Sequence, residues 1–154
     1  VDAEQLRRYV IRPTLRHIGA WSEAAEELVL GTACQESGCG RYVRQLGDGP
    51  ARGICQMEPA THDDIWENWL AYRAPYAERV LQLMPHWPRG AERLTVSLAY
   101  SVAMCRVHYL RVPDPLPAPG DLHGQAAYYK RFYNTRLGAA TVEEYVANWR
   151  RYVG

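Results

Sequence analysis

Ser22-Glu23-Ala24-Ala25-Glu26-Glu27-Leu28-Val29-Leu30-Gly31-Thr32-Ala33-Cys34-Gln35-Glu36-Ser37-Gly38 decides the fold. Ser22 is a good N-cap, Ala25, Leu28, Val29 and Thr32 recur at helical spacing, and Gly38 is a natural stop, so the stretch predicts an apolar helix with Glu36 in its last turn. Residues 38 to 57 change character. Glycines at 38, 40, 47, 49 and 53, with Pro50, interrupt short apolar pieces, and a loop or small irregular hairpin is expected there.

Helical punctuation continues on both sides. Asp2 with Gln5 reads as a capping box for a first helix carrying Leu6, Tyr9 and Val10, with Pro13 set to kink or restart it before Gly19. Pro59 suits the first position of a third helix running through Ile65, Trp69 and Leu70, and Ala74-Pro75 should break it. A short helix is expected through Val80, Leu81 and Met84, then a long central one from about Glu92 to Arg111, marked by Leu94, Leu98, Val102, Cys105 and Tyr109. Pro113, Pro115, Pro117 and Pro119 make an extended crossing. Gln125 to Tyr133 and a segment capped by Thr141 with Glu144, ending near Val153, complete a mainly α single domain spanning residues 1 to 154.

Composition removes several classes of function. A net charge of +1, with Lys130 the only lysine, provides no field for nucleic acid, whose non-specific binding depends on many phosphate contacts. No apolar run is long enough to insert in a membrane, and Val1-Asp2-Ala3-Glu4 lacks the basic-then-apolar layout of a secretory signal, so another exit route is expected for action outside the cytoplasm. Cys34, Cys39, Cys55 and Cys105 match no small disulfide scaffold and are expected as buried thiols. The five histidines are scattered, there is no C-x-x-C or H-E-x-x-H, and neither a metal nor a cofactor is expected.

Glu36 is the first candidate for chemistry. The unpaired carbonyls of a helix end and apolar neighbours both disfavour its charged form, which raises its pKa toward the range of a general acid. Downstream, Gly53-Ile54-Cys55-Gln56-Met57-Glu58-Pro59-Ala60-Thr61 supplies a glycine-led polar segment that could face it. Together, Ala33 to Ser37 and Gly53 to Thr61 resemble the paired motifs of the soluble lytic transglycosylases and goose-type lysozymes, with the likeness covering roughly residues 28 to 61.

That resemblance implies a lysozyme-like helical domain that cleaves the N-acetylmuramic acid to N-acetylglucosamine bond of peptidoglycan. Glu36 would be the acid/base of a lytic transglycosylase, giving 1,6-anhydro products. Ser37 and Gln56 would hold the substrate or the glutamate, and Met57 would line the cleft. A hydrolytic lysozyme is the alternative, with Glu58 or Asp48 as second carboxylate, about 6.5–9.5 Å from the acid if inverting and about 5–5.5 Å if retaining.

The family's Ala-Tyr-Asn-Ala-Gly is replaced here by Ala127-Tyr128-Tyr129-Lys130-Arg131-Phe132-Tyr133-Asn134-Thr135, which resembles phage-encoded members. Tyr128 or Tyr133, with Asn134 beside it, would take the tyrosine role, and Tyr100 is a rival. A monomer acting on glycan strands at the bacterial cell wall, as a phage lysin or virion component, is the expectation. A non-catalytic glycan-binding or virion structural module is the competing class.

Overall fold

The computed structural model describes residues 1–134 and 139–154. It is mainly helical, with no strand among those residues, and Thr135 of the Tyr-Asn-Thr ending lies outside them. None of its helices is long and apolar enough to cross a membrane.

The chain opens with α1 (Ala3–Leu6), where the Asp2 carboxylate accepts from the Gln5 amide at 3.0 Å. The kink or restart expected at Pro13 takes the form of a widened turn, after which the proline stands at the second position of a new α-helical stretch. A wider π turn over Arg7–Ile11 leads directly into α2 (Arg12–His17), with the Arg12 amide reaching back five residues to the Arg7 carbonyl. This widening absorbs the proline, which has no N–H to give and would crowd an ordinary helical turn. It also rotates the residues within it about the axis. Ile11 reaches the core, while Tyr9, expected on the apolar side, is 59% exposed.

Helix α3 (Glu23–Ser37) has Ser22 as its cap, accepting from the Ala25 amide at 3.0 Å, and is buried from Ala25 through Cys34. A helix covered on every side belongs in the middle of a domain. Gly38, in the left-handed conformation at φ 58°, closes it, and the amides of Gly38 and Cys39 fold back onto the Cys34 and Ala33 carbonyls.

The segment from Gly38 to Met57 is the expected irregular region, held by isolated antiparallel bridges at Arg44–Arg52 and Arg52–Met57. Then comes α4 (Pro59–Asn68), which ends before Trp69 rather than running through Leu70; a tight turn over Leu70–Tyr72 follows. Ala74-Pro75, expected as a break, instead opens α5 (Ala74–Leu83), because a proline at the second helical position loses no internal hydrogen bond.

The single long helix expected from Glu92 to Arg111 is divided into α6 (Arg93–Val96) and α7 (Leu98–Leu110). Ser97 is extended between them and caps α7 through the Tyr100 amide at 3.1 Å. Gly53 packs into this corner, where an added Cβ would lie 2.8 Å from the Leu94 carbonyl and 2.5 Å from the Ser101 hydroxyl. The last helices are α8 (Leu122–Phe132), starting three residues earlier than expected, and α9 (Val142–Tyr152), which carries the Thr141–Glu144 capping box. Thus α3 shares with α7 the central place expected for the Glu92 to Arg111 segment alone. All four cysteines are buried thiols.

Candidate active site

Glu36 stands where α3 meets the Gly53–Met57 segment, and the joint is built from backbone carbonyls. Ser37 Oγ, fully buried, donates to the Ile54 carbonyl at 2.6 Å and accepts from the Gly40 amide at 2.9 Å. Tyr133 donates to the Cys55 carbonyl at 2.6 Å. Gln56, itself at φ 49°, returns its side-chain amide to the Gly53 carbonyl at 2.8 Å. Gly53 adopts φ 82° and can approach the α6–α7 corner only because it has no side chain. Three consecutive carbonyls are therefore fixed by three different parts of the chain.

A cleft of about 510 Å³ opens over this joint, lined by Glu36, Tyr42, Gln56, Met57, Glu58 and Thr61 on one side and by His108, Tyr133 and Asn134 among the others. Tyr42 donates to the backbone carbonyl of Glu36 at 2.8 Å, filling one of the open positions at the helix end. Behind the helix, Asn148 of α9 donates to the Gln35 side chain at 2.8 Å, so the glutamate is braced by residues before and after it.

Burial raises the Glu36 carboxyl to a pKa of about 7, and the hydrogen bond that Tyr129 donates to its Oε1 only partly opposes the rise. No cation among the described residues contacts it. Tyr129 keeps its proton because burial first, and the glutamate's charge second, push its pKa far upward, while the Asn134 side chain pulls in the other direction. A carboxyl that gives up its proton near neutral pH, beside a hydroxyl that will not ionise, is equipped for general acid/base chemistry.

The residues expected from sequence divide. Glu36, Gln56, Met57, Glu58, Tyr133 and Asn134 share the cleft, whereas Ser37 faces inward and fastens the helix end. Tyr128 points away, donating to the Asp114 carbonyl at 2.9 Å in the proline-rich crossing. The tyrosine on the glutamate is its neighbour Tyr129, one residue further round α8. Tyr100 lies elsewhere, bonded to His62 at 2.7 Å and Trp66 at 2.8 Å.

Glu58 is exposed at the start of α4, lines the cleft and makes no capping bond with its side chain. Asp48 is exposed in the loop, outside the residues that line the cleft. His108 and Tyr42 are lining residues that nothing in the sequence pattern singled out. No family model, curated protein or solved structure matches the chain.

Proposed function

We propose that this chain is a peptidoglycan-cleaving glycosidase of the lysozyme and lytic transglycosylase type, acting as a transglycosylase with Glu36 as the single acid/base. The observation that carries the proposal is the Glu36 carboxyl itself, raised to about 7 on the wall of a substrate-sized cleft with Tyr129 on one oxygen. The motif likeness between residues 28 and 61 supplies the substrate class: glycan strands at the bacterial cell wall, attacked by a phage lysin or a virion component.

In this mechanism protonated Glu36 gives its proton to the glycosidic oxygen as the bond from that oxygen to C1 of the muramyl residue breaks. Positive charge develops at C1, and the alcohol of the next sugar leaves. The Glu36 carboxylate, kept in place by the Tyr129 hydroxyl, then accepts the proton of the muramyl C6 hydroxyl as that oxygen bonds to C1. A 1,6-anhydro ring forms, Glu36 is protonated again, and no water is consumed.

A hydrolytic reading draws support from one observation, the exposed Glu58 carboxylate in the same cleft. There Glu58 would direct a water or attack C1 itself, and the product would carry a reducing end. Incubating the protein with murein sacculi and analysing released muropeptides by mass spectrometry separates the two. Anhydro ends that vanish in Glu36→Gln and persist in Glu58→Gln support the transglycosylase, and reducing ends lost in both variants support the lysozyme. A folded wild type that releases nothing refutes both.

A further inference from the structure

We propose that His108 is a positioning residue of this cleft, a neutral imidazole that holds the end of α8, and with it Tyr133 and Asn134, in register with Glu36. The inference rests on the glycosidase reading for its effect on turnover, but its geometry is independent of it. Nδ1 of His108 lies 2.8 Å from an Arg111 guanidinium nitrogen. A guanidinium can only donate, so Nδ1 must be the acceptor and the imidazole proton must sit on Nε2. The backbone of Phe132, at the last position of α8, offers the hydrogen bond on that side.

The ring then meets Tyr133 edge-on, with centroids 5.0 Å apart, and Tyr133 is the residue that fixes the Cys55 carbonyl. The second terminal nitrogen of Arg111 reaches the Asp64 carboxylate on α4 at 2.7 Å. One imidazole thus joins α4, α7 and the end of α8 around the cleft, although it has no nitrogen left for a substrate.

Protonation would undo this arrangement. An imidazolium presents N–H to N–H at Arg111 and loses its acceptor. The groups facing the ring do not favour the extra charge enough to prevent its exclusion: Arg111 from its own helix opposes it, Asp64 from α4 favours it, Glu58 lines the same cleft, and Tyr133 and Tyr109 are neutral aromatic neighbours. Burial, followed by Arg111, holds His108 down to about 4. With Glu36 at about 7, the cleft has its acid protonated and its imidazole neutral between those two values.

The test uses the intact protein, with nitrogen-15 NMR of the His108 ring and the pH profile of muropeptide release from sacculi. A neutral ring protonated on Nε2 down to about pH 4 is the expected spectrum. Wild-type turnover should fall about tenfold between pH 5 and pH 3, as a single protonation dictates. His108→Asn, which keeps an acceptor toward Arg111, and His108→Gln, which keeps a donor toward Phe132, should each lose less turnover at pH 6 than His108→Phe and flatten that acid fall. His108→Phe, with neither, should lose tenfold or more at pH 6. Circular dichroism at pH 3 checks that each protein is folded.

A ring protonated on Nδ1, a titration near the ordinary histidine value, or an acid fall unchanged in both amide variants would overturn the proposal. If the wild type releases no muropeptide, the glycosidase reading fails on its own, and the Tyr133 and Asn134 backbone resonances decide. Their movement in step with His108 supports the clamp, and their constancy through the titration refutes it.

Discussion

Glu26 and Glu36 lie ten residues apart on one helix and have opposite electrostatic fates. Glu26, in the first turn of α3, is 1% exposed, and burial pushes its pKa up. Hydrogen bonds from Arg12, Trp21 and Arg7 outweigh that push and hold it down at about 2. The Arg7 and Arg12 Nε atoms both stand 2.7 Å from its oxygens. Glu36, in the last turn, is also desolvated, and among the described residues a tyrosine hydroxyl alone opposes the rise, so it reaches about 7. Both sites remove water, so burial raises both carboxyls and does not by itself explain why one ends low and the other high. Among the described residues, what separates them is the pair of arginines at one end of the helix, where the other end has a tyrosine hydroxyl. The helix dipole acts in the same sense, favouring a carboxylate in the first turn and disfavouring it in the last.

The largest effect should follow from removing the acid. Glu36→Gln keeps the shape but cannot give a proton, and muropeptide release should fall by about three orders of magnitude, within the range of general acid catalysis. The corresponding change at the other end should leave chemistry alone and destabilise the fold. Glu26→Gln strands two arginines beside a neutral amide, and urea denaturation should show a loss of about 3 kcal/mol, as expected when one partner of a buried ion pair is removed. Glu26 is depressed below its ordinary value, so its contribution is complete above about pH 4.5 and drains away as pH falls toward 2. Acid unfolding of the wild type should therefore be steep in that window and blunted in Glu26→Gln.

The stability of Glu36→Gln sharpens the comparison with the opposite sign. The folded state holds the Glu36 proton up to about 7 where the unfolded chain releases it near 4.5, so wild-type stability falls as pH rises through that interval. The glutamine variant escapes this loss. It should be more stable than wild type at pH 8 by about 1–3 kcal/mol and nearly equal to it at pH 4, measured by thermal melts at both values. Equal melting at pH 8 would mean that Glu36 is not strained when ionised.

These two glutamates also show how far the sequence reaches. The raised carboxyl at Glu36 was legible from its place at the end of an apolar helix, although the burial that raises it is shared with residues as distant in sequence as Tyr129. Glu26 was not, because its arginines come from residues 7 and 12, on a rod whose widened turn is a response to Pro13 that no helical period anticipates. The split at Ser97 was hidden for a similar reason: the apolar stripe continues through it, and the cause of the close packing at that corner is a glycine more than forty residues upstream.

The choice of tyrosine was missed by one residue, and helix phase explains why. Tyr129 and Tyr133 are four apart and stack at 5.9 Å on one face of α8, while Tyr128 turns to the proline-rich crossing. The sequence contained that pairing, but it could not say which face of α8 meets α3.

Tyr129→Phe is the gentlest way to test the contrast, since it removes the group that, among the described residues, opposes the rise at Glu36. The hydroxyl's hydrogen bond lowers the glutamate's pKa, so its loss should move that pKa further up and shift the basic limb of the pH profile to higher pH. Turnover at the optimum should drop by about tenfold, the scale of one hydrogen bond to a charged group that forms after proton transfer. At pH 8 the two changes act in opposite directions, because a larger protonated fraction offsets part of the lost stabilisation. The variant should therefore look least impaired on the alkaline side. A basic limb that stays in place while the optimum falls would show that Tyr129 orients the carboxyl without tuning it, leaving the arginines on Glu26 and the helix dipole to account for the contrast between the two ends of the helix.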